Sequence, residues 1–231
     1  MDYDSLEHDS HISIDNSKLG RFLIVTSVAA EKEAIMKGLK ADNRFDVIAA
    51  GVGPTIAAAN TATALAEKNY QLVINSGIGG GFVGKVELES IVLASEVIAA
   101  DLGAEAAEGF KSLEELNLGT TRIATDVKYT ELVFEGLKAR KAPVYTGPII
   151  TLSTVTGTAS TAATLLERTP GVLAEAMEGY GVAIAAKLKG LPVIEIRSIS
   201  NAVGPRDRGN WKINEALKRL EEVGSVLTEV L

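Results

Sequence analysis

Phe22-Leu23-Ile24-Val25-Thr26 is an unbroken apolar run of strand length, and Ala30-Glu31-Lys32-Glu33-Ala34-Ile35-Met36-Lys37-Gly38-Leu39 follows it with helix-forming residues. A run that is apolar on both faces suits a strand covered on both sides, as in a parallel sheet. The same alternation continues along the chain. Further strands are predicted over Phe45–Ala50, Leu72–Ser76, within Glu89–Ala99, and over Pro148–Ser153, Val172–Met177 and Val193–Ile199. Helices are predicted over Ala30–Leu39, from Pro54 to about Lys68, over Thr130–Arg140, Ser160–Glu167 and Tyr180–Lys189, and from Lys212 to the end. Strands alternating with helices across short connections imply an α/β fold, with a mostly parallel sheet and helices on both faces.

The rest of the chain narrows the chemistry. Residues 1–20 are polar and acidic and read as a flexible extension; from residue 21 onward no break in composition divides the chain, so 21–231 reads as one domain. With 46% hydrophobic residues, 231 residues can bury a sizeable core. A net charge of −7 argues against nucleic acid or an anionic membrane as partner. No apolar run reaches bilayer-spanning length, and the acidic start lacks the apolar core of a secretory signal, so a cytoplasmic protein is expected. The chain has no cysteine, which removes disulfides and thiolate chemistry. Its two histidines, His8 and His11, both lie in the polar leader. With the leader outside the site, histidine triads and His-ligated metals are excluded, and acid–base work falls to carboxylates, amides or tyrosines.

Ligands of α/β sheets collect at the carboxyl ends of strands, and several residues stand at predicted strand ends. Glu31 and Glu33 open the first helix; either fits a general base for water, and both also fit ordinary acid enrichment of a first turn. Gly77-Ile78-Gly79-Gly80-Gly81 closes the third strand as a tight turn that a ligand could approach closely. Glu178 follows Met177 at the end of a short strand, where a carboxylate can accept both hydroxyls of a ribose or simply stabilise the next helix. Asn201 ends the last core strand and offers an amide to the edge of a base, or serves as a turn residue. Beyond it, Gly204-Pro205-Arg206-Asp207-Arg208-Gly209-Asn210-Trp211 carries two arginines suited to a ligand carboxylate and the only tryptophan.

Five stretches in order resemble the nucleoside phosphorylase and nucleosidase superfamily: Ala30–Glu33, Gly51–Pro54, Asn75–Gly81, Ala176–Gly179 and Arg197–Asn201. Gly204-Pro205-Arg206-Asp207-Arg208 is similar to the futalosine hydrolase branch. The resemblance implies a three-layer α/β/α sandwich around a twisted sheet, a homo-oligomer, and hydrolysis of an N-glycosidic bond in a purine nucleoside without metal or organic cofactor. It implies release of hypoxanthine from futalosine, a step towards menaquinone. It also implies roles. Glu33 and Asn201 are the catalytic pair: Glu33 activates water, a role that a shift in the match moves to Glu31, and Asn201 stabilises the departing base. Glu178 binds the ribose hydroxyls with Met177 beneath the sugar. The Val155 backbone meets the base edge, Ile78 and Gly79 line base and sugar, and Trp211 forms a wall over the base. The hypothesis that Arg206 or Arg208 meets the benzoate carboxylate of futalosine rests on the same loop.

Three rivals follow from the same residues. A phosphorylase needs cations or backbone amides for a phosphate dianion, whereas Ala29-Ala30-Glu31-Lys32-Glu33 offers two carboxylates and no arginine. An adenine-releasing nucleosidase carries aspartate where this chain has Asn201; an amide can donate to the O6 and N7 acceptors of hypoxanthine, which an ionised carboxylate would repel, and it can also pair with N6 and N7 of adenine. A nucleoside-binding protein without turnover is the third.

Overall fold

The computed structural model describes residues 20–231; residues 1–19, with His8 and His11 and nearly all of the expected extension, lie outside the described residues. The strands are β1 (Phe22–Thr26), β2 (Phe45–Ala49), β3 (Leu72–Gly81), β4 (Ile91–Ala99), β5 (Gly103–Ala106), β6 (Gly109–Ser112), β7 (Arg122–Ala124), β8 (Val144–Thr151), β9 (Ala174–Ala176) and β10 (Val193–Ala202). The helices are α1 (Ala29–Leu39), α2 (Pro54–Glu67), α3 (Val127–Ala139), α4 (Ala159–Arg168), α5 (Gly179–Leu188) and α6 (Ile213–Val230). The β5–β6 hairpin and β7 have no counterpart in the sequence reading, because each is too short and too polar to show a period. No helix among the described residues is long and apolar enough to cross a membrane.

Alternation along the strands sorts the core into layers. Phe22 and Ile24, Leu72 and Ile74, and Ile194 and Ile196 face α1, α3 and α6; Leu23 and Val25, Val73 and Val193 face α2 and α5. Both faces are therefore apolar, which is why these strands read as continuous hydrophobic runs. A third cluster, including Phe82, Ile98, Ile150, Leu165 and Val203, packs under α4.

The expected α/β fold holds, and the sheet adds a closure. Strand β3 pairs parallel with β1 and β10 and antiparallel with β9; β10 pairs antiparallel with β4, and β4 and β9 both pair parallel with β8. Strands β3, β10, β4, β8 and β9 thus form a closed ring, from which β1 and β2 extend on one side and β7 on another. The glycines expected to form a turn after strand three instead continue β3, paired with β10 from Gly77 to Gly81 and with β9 at Gly80 and Gly81. Closure needs β3 to be long, and its missing side chains let neighbours approach on both sides.

Glycine also sets the helix layers. A Cβ on Gly224 of α6 would lie 2.5 Å from the Ile35 carbonyl oxygen of α1, and one on Gly181 of α5 would lie 2.0 Å from that of Pro54 in α2. Gly224→Ala gains about 1 kcal/mol of helix propensity but forces two backbones apart, an overpacking that costs about 3 kcal/mol. Urea denaturation is expected to show a net loss of about 2 kcal/mol.

Candidate active site

Closure brings the exits of β1, β8, β9 and β10 against the far half of β3, around a cavity of about 230 Å³. Helix α1 starts at its wall. Its N-cap, Val28, has no acceptor to offer, so only the return half of a capping box forms: Glu31 Oε2 accepts from the Val28 amide at 3.2 Å. The same oxygen accepts from the Ser27 amide and hydroxyl, both at 2.9 Å, while Oε1 accepts from the Ile78 amide at 2.9 Å. Glu31 is buried, and its carboxylate takes three donors on Oε2 from the β1–α1 connection and one on Oε1 from β3, which leaves Oε1 a lone pair free.

Behind this wall lies one cation. Arg197, 1% exposed, gives Nε to Glu195 Oε1 at 2.8 Å and holds Nη1 3.3 Å from Glu178 Oε2. Glu178 Oε1 accepts from the Gly53 amide at 3.1 Å, in a residue held at φ +102° that glycine adopts readily. Burial works against the charge of Arg197, but Glu195, Glu178 and Glu31 together hold its pKa above the ordinary value. Burial pushes the Glu195 carboxyl up, against the pull of Arg197. The cluster leaves no room for extra atoms: a Cβ on Gly77 would lie 2.7 Å from Arg197 Nη1 and 2.8 Å from Glu31 Oε1, and one on Gly179 would lie 2.2 Å from Glu195 Oε2.

The far side of the cavity is built by β8, β9 and β10. Pairing of β10 with β3 slips between Ile199 and Asn201, a bulge that brings both Ser200 and Asn201 into the lining. Ser200 Oγ donates to Asn201 Oδ1 at 2.8 Å, and Asn201 Nδ2 donates to the Ala202 carbonyl at 3.1 Å. Val155 and Thr156 line the cavity from the loop after β8, beside Glu175, Ala176 and Met177. Arg206 and Trp211 stand at the mouth, with the Arg206 guanidinium 5.4 Å from the indole centre.

Of the residues expected in the site, Asn201, Glu178, Met177, Val155, Ile78, Gly79, Arg206 and Trp211 line this one cavity. Glu33 does not. It is exposed on α1, because two residues along a helix turn a side chain about 200° away from Glu31. The first-turn carboxylate that faces the cavity is Glu31. Arg208 is also outside the lining; it begins a 3-10 turn (Arg208–Asn210) and stacks on Trp211, 5.5 Å from the ring centre. Among the charged residues, Glu175 in the lining and Glu195 and Arg197 behind it went unread, as did the polar lining residues Ser27, Thr156 and Ser200. The pattern in Val193-Ile194-Glu195-Ile196-Arg197 carried a signal, since charges two apart in a buried strand share a face and must be partnered there. A larger cavity of about 540 Å³ beside α3 has Glu131 and Glu135 as its only charged lining, both exposed.

Residues 23–231 match the Phosphorylase superfamily. The futalosine hydrolase of Streptomyces coelicolor is 43% identical over 229 residues, covering 90% of this chain and 95% of that protein. That of Acidothermus cellulolyticus is 46% identical over 219 residues, 89% of each. The chain belongs to the futalosine hydrolase family of the phosphorylase superfamily. The native structure of futalosine hydrolase from Helicobacter pylori shares the fold, with a TM-score of 0.82 at 16% identity over 92% of this chain and 99% of that one. At that identity the likeness speaks for shape alone. In this member of the superfamily, Glu31 and Glu178 line the cavity, while Arg197 and Glu195 lie behind them and complete the charge cluster.

Replacing Arg197 tests the knot. Arg197→Met leaves Glu195 and Glu178 buried without their cation, which is expected to cost about 3–5 kcal/mol near neutral pH. Burial pushes the Glu195 carboxyl up, and a carboxyl whose folded pKa lies above its unfolded value binds more protons when folded, so stability falls as pH rises between the two. The defect of the variant is therefore expected to shrink as pH is lowered towards the carboxylate range. Chemical denaturation at several pH values reads both the size and the slope.

Proposed function

We propose that this chain hydrolyses the bond between C1′ and N9 of futalosine, releasing hypoxanthine and the base-free sugar product. The observation that carries this reading is the convergence of Glu31, Glu178 and Asn201 on one cavity, in a chain 43–46% identical to two futalosine hydrolases.

Glu31, with both oxygens anchored, is the general base: it orients a water against C1′ and takes its proton as the C–O bond forms and the C1′–N9 bond breaks. Glu178 accepts from the ribose hydroxyls with the lone pairs that Gly53 and Arg197 leave free. Met177, Ile78 and Gly79 line the sugar and base, the Val155 backbone meets the base edge, and Trp211 covers it. Asn201 stabilises charge on the departing base, and its amide suits the O6 and N7 acceptors of a 6-oxopurine. Arg206, at the mouth, meets the benzoate carboxylate, with Trp211 holding the guanidinium by its ring face.

Water is favoured over phosphate as the nucleophile because the one buried guanidinium near Glu31 is already matched to Glu195 and Glu178. A phosphate dianion there would face carboxylates on two sides. The same reading has the enzyme work in the cytoplasm as a homo-oligomer, without metal or organic cofactor.

Chromatography of purine bases after incubation with futalosine, inosine and methylthioadenosine is expected to show hypoxanthine from futalosine, at equal rates with and without phosphate. Dependence on phosphate, or adenine release, would overturn the reading. Glu31→Gln is expected to lower kcat about 10²–10⁴-fold while Glu33→Gln leaves it unchanged. Arg206→Ala is expected to raise KM for futalosine about tenfold, the scale of one charge-assisted hydrogen bond, and to leave KM for inosine where it was.

A further inference from the structure

Among the charged residues of the cavity, Glu175 has no part in the steps above. It is 4% exposed and lies on β9 where β3 and β8 both pair with it. Its two oxygens are spent on one partner: Oε1 accepts from the Thr156 amide at 3.0 Å, and Oε2 accepts from the Thr156 hydroxyl at 2.5 Å. Thr156 belongs to the irregular stretch from residue 152 to 158, in which only it and Leu152, next to β8, are buried. Its neighbour Val155 lines the cavity. The loop is held at its two ends as well: the Leu152 amide donates to the Ala176 carbonyl at 3.0 Å and the Ser153 amide to Asp101 at 2.6 Å, and Thr158 caps α4, accepting from the Thr161 amide at 3.1 Å.

We propose that Glu175 is a positioning residue for base recognition, acting through Thr156 to fix the Val155 backbone at the edge of the base. A loop without regular structure pairs few of its own backbone groups, so its shape must come from side chains outside it. A carboxylate is the acceptor best suited to take an amide and a hydroxyl side by side. Burial pushes the Glu175 pKa up, against the two Thr156 bonds that favour the ionised form, so the clamp runs against solvation and depends on both bonds. The site for Glu175 is also shaped in advance. A Cβ on Gly80 would lie 3.3 Å from Glu175 Cγ and 3.2 Å from Asn201 Nδ2, so one glycine makes room for the clamp and for the base-facing amide together. The consequence is a division of labour: Glu178 and Met177 hold the sugar, while Glu175 sets how well the base is held.

The inference rests on the reading that the cavity binds a purine nucleoside, and the test separates the two. Inhibition of futalosine cleavage is measured with free hypoxanthine and with the base-free sugar product, in the wild-type chain and in Glu175→Ala, Glu175→Gln and Thr156→Val. Glu175→Ala is expected to raise the inhibition constant of hypoxanthine about tenfold and to leave that of the base-free product unchanged. Glu175→Gln, which keeps the shape and one acceptor, is expected to fall between. Thr156→Val, which keeps the amide and removes only the hydroxyl, is expected to weaken hypoxanthine in the same direction, and combining it with Glu175→Gln to give less than the sum of the two effects. Should Glu175→Ala fail to fold, the Gln and Val variants carry the test. Equal changes in both inhibition constants, or no change in either, would overturn the proposal while leaving the hydrolase reading intact. A wild-type chain that releases no base from futalosine would overturn the hydrolase reading and this proposal with it.

Discussion

A single guanidinium buried among carboxylates governs how this protein is built. Each ion taken from water costs several kcal/mol unless its partners are near and well aimed, so Arg197, Glu195, Glu178 and Glu31 stand or fall as a set. The set spans α1, the β9–α5 junction and β10. Whatever aligns those elements also aligns the carboxylates, which is why fold and site cannot be separated here. Breaking one pair leaves a charge without a counterpart, a far larger penalty than losing a contact between exposed groups.

The same set explains Gly77 of β3 and Gly179 of α5. Gly77 leaves space for Arg197 and Glu31, Gly179 for Glu195, and Gly80 for Glu175 and Asn201. A strand rich in glycine is weak on its own, since it buries little and loses much backbone freedom on folding. In this protein β3 is paired with β10 along its far half and with β9 at Gly80 and Gly81, and ring closure supplies what its side chains do not.

Most of the fold was legible because fully buried strands and amphipathic helices write long patterns. The element types from β1 to β4 and from α3 to α6 follow from runs of Val, Ile, Leu and Ala. Closure of the ring was not legible: β9 spans only Ala174–Ala176, and nothing in three residues announces two partners. At the site, residues at strand ends were readable by position, and eight of those named share the cavity. Glu33 was misplaced because a first turn with acids at alternate positions gives no sign of which one points inward. That depends on the angle at which α1 leaves β1. Arg197 and Glu195 were legible in principle, as paired charges inside an apolar strand. Glu175 was not, because its meaning comes from Thr156, 19 residues away and in a loop.

The bulge in β10 has an effect on how the protein can change over time. Upstream of it, side chains alternate in step with the core; beyond it, the phase is reset and Ser200 and Asn201 answer to the cavity instead. The strand is thus two modules in one segment. Residues that tune which base is accepted can drift without shifting the frame of those that keep the interior packed, and a lineage could explore new leaving groups while its scaffold stays put.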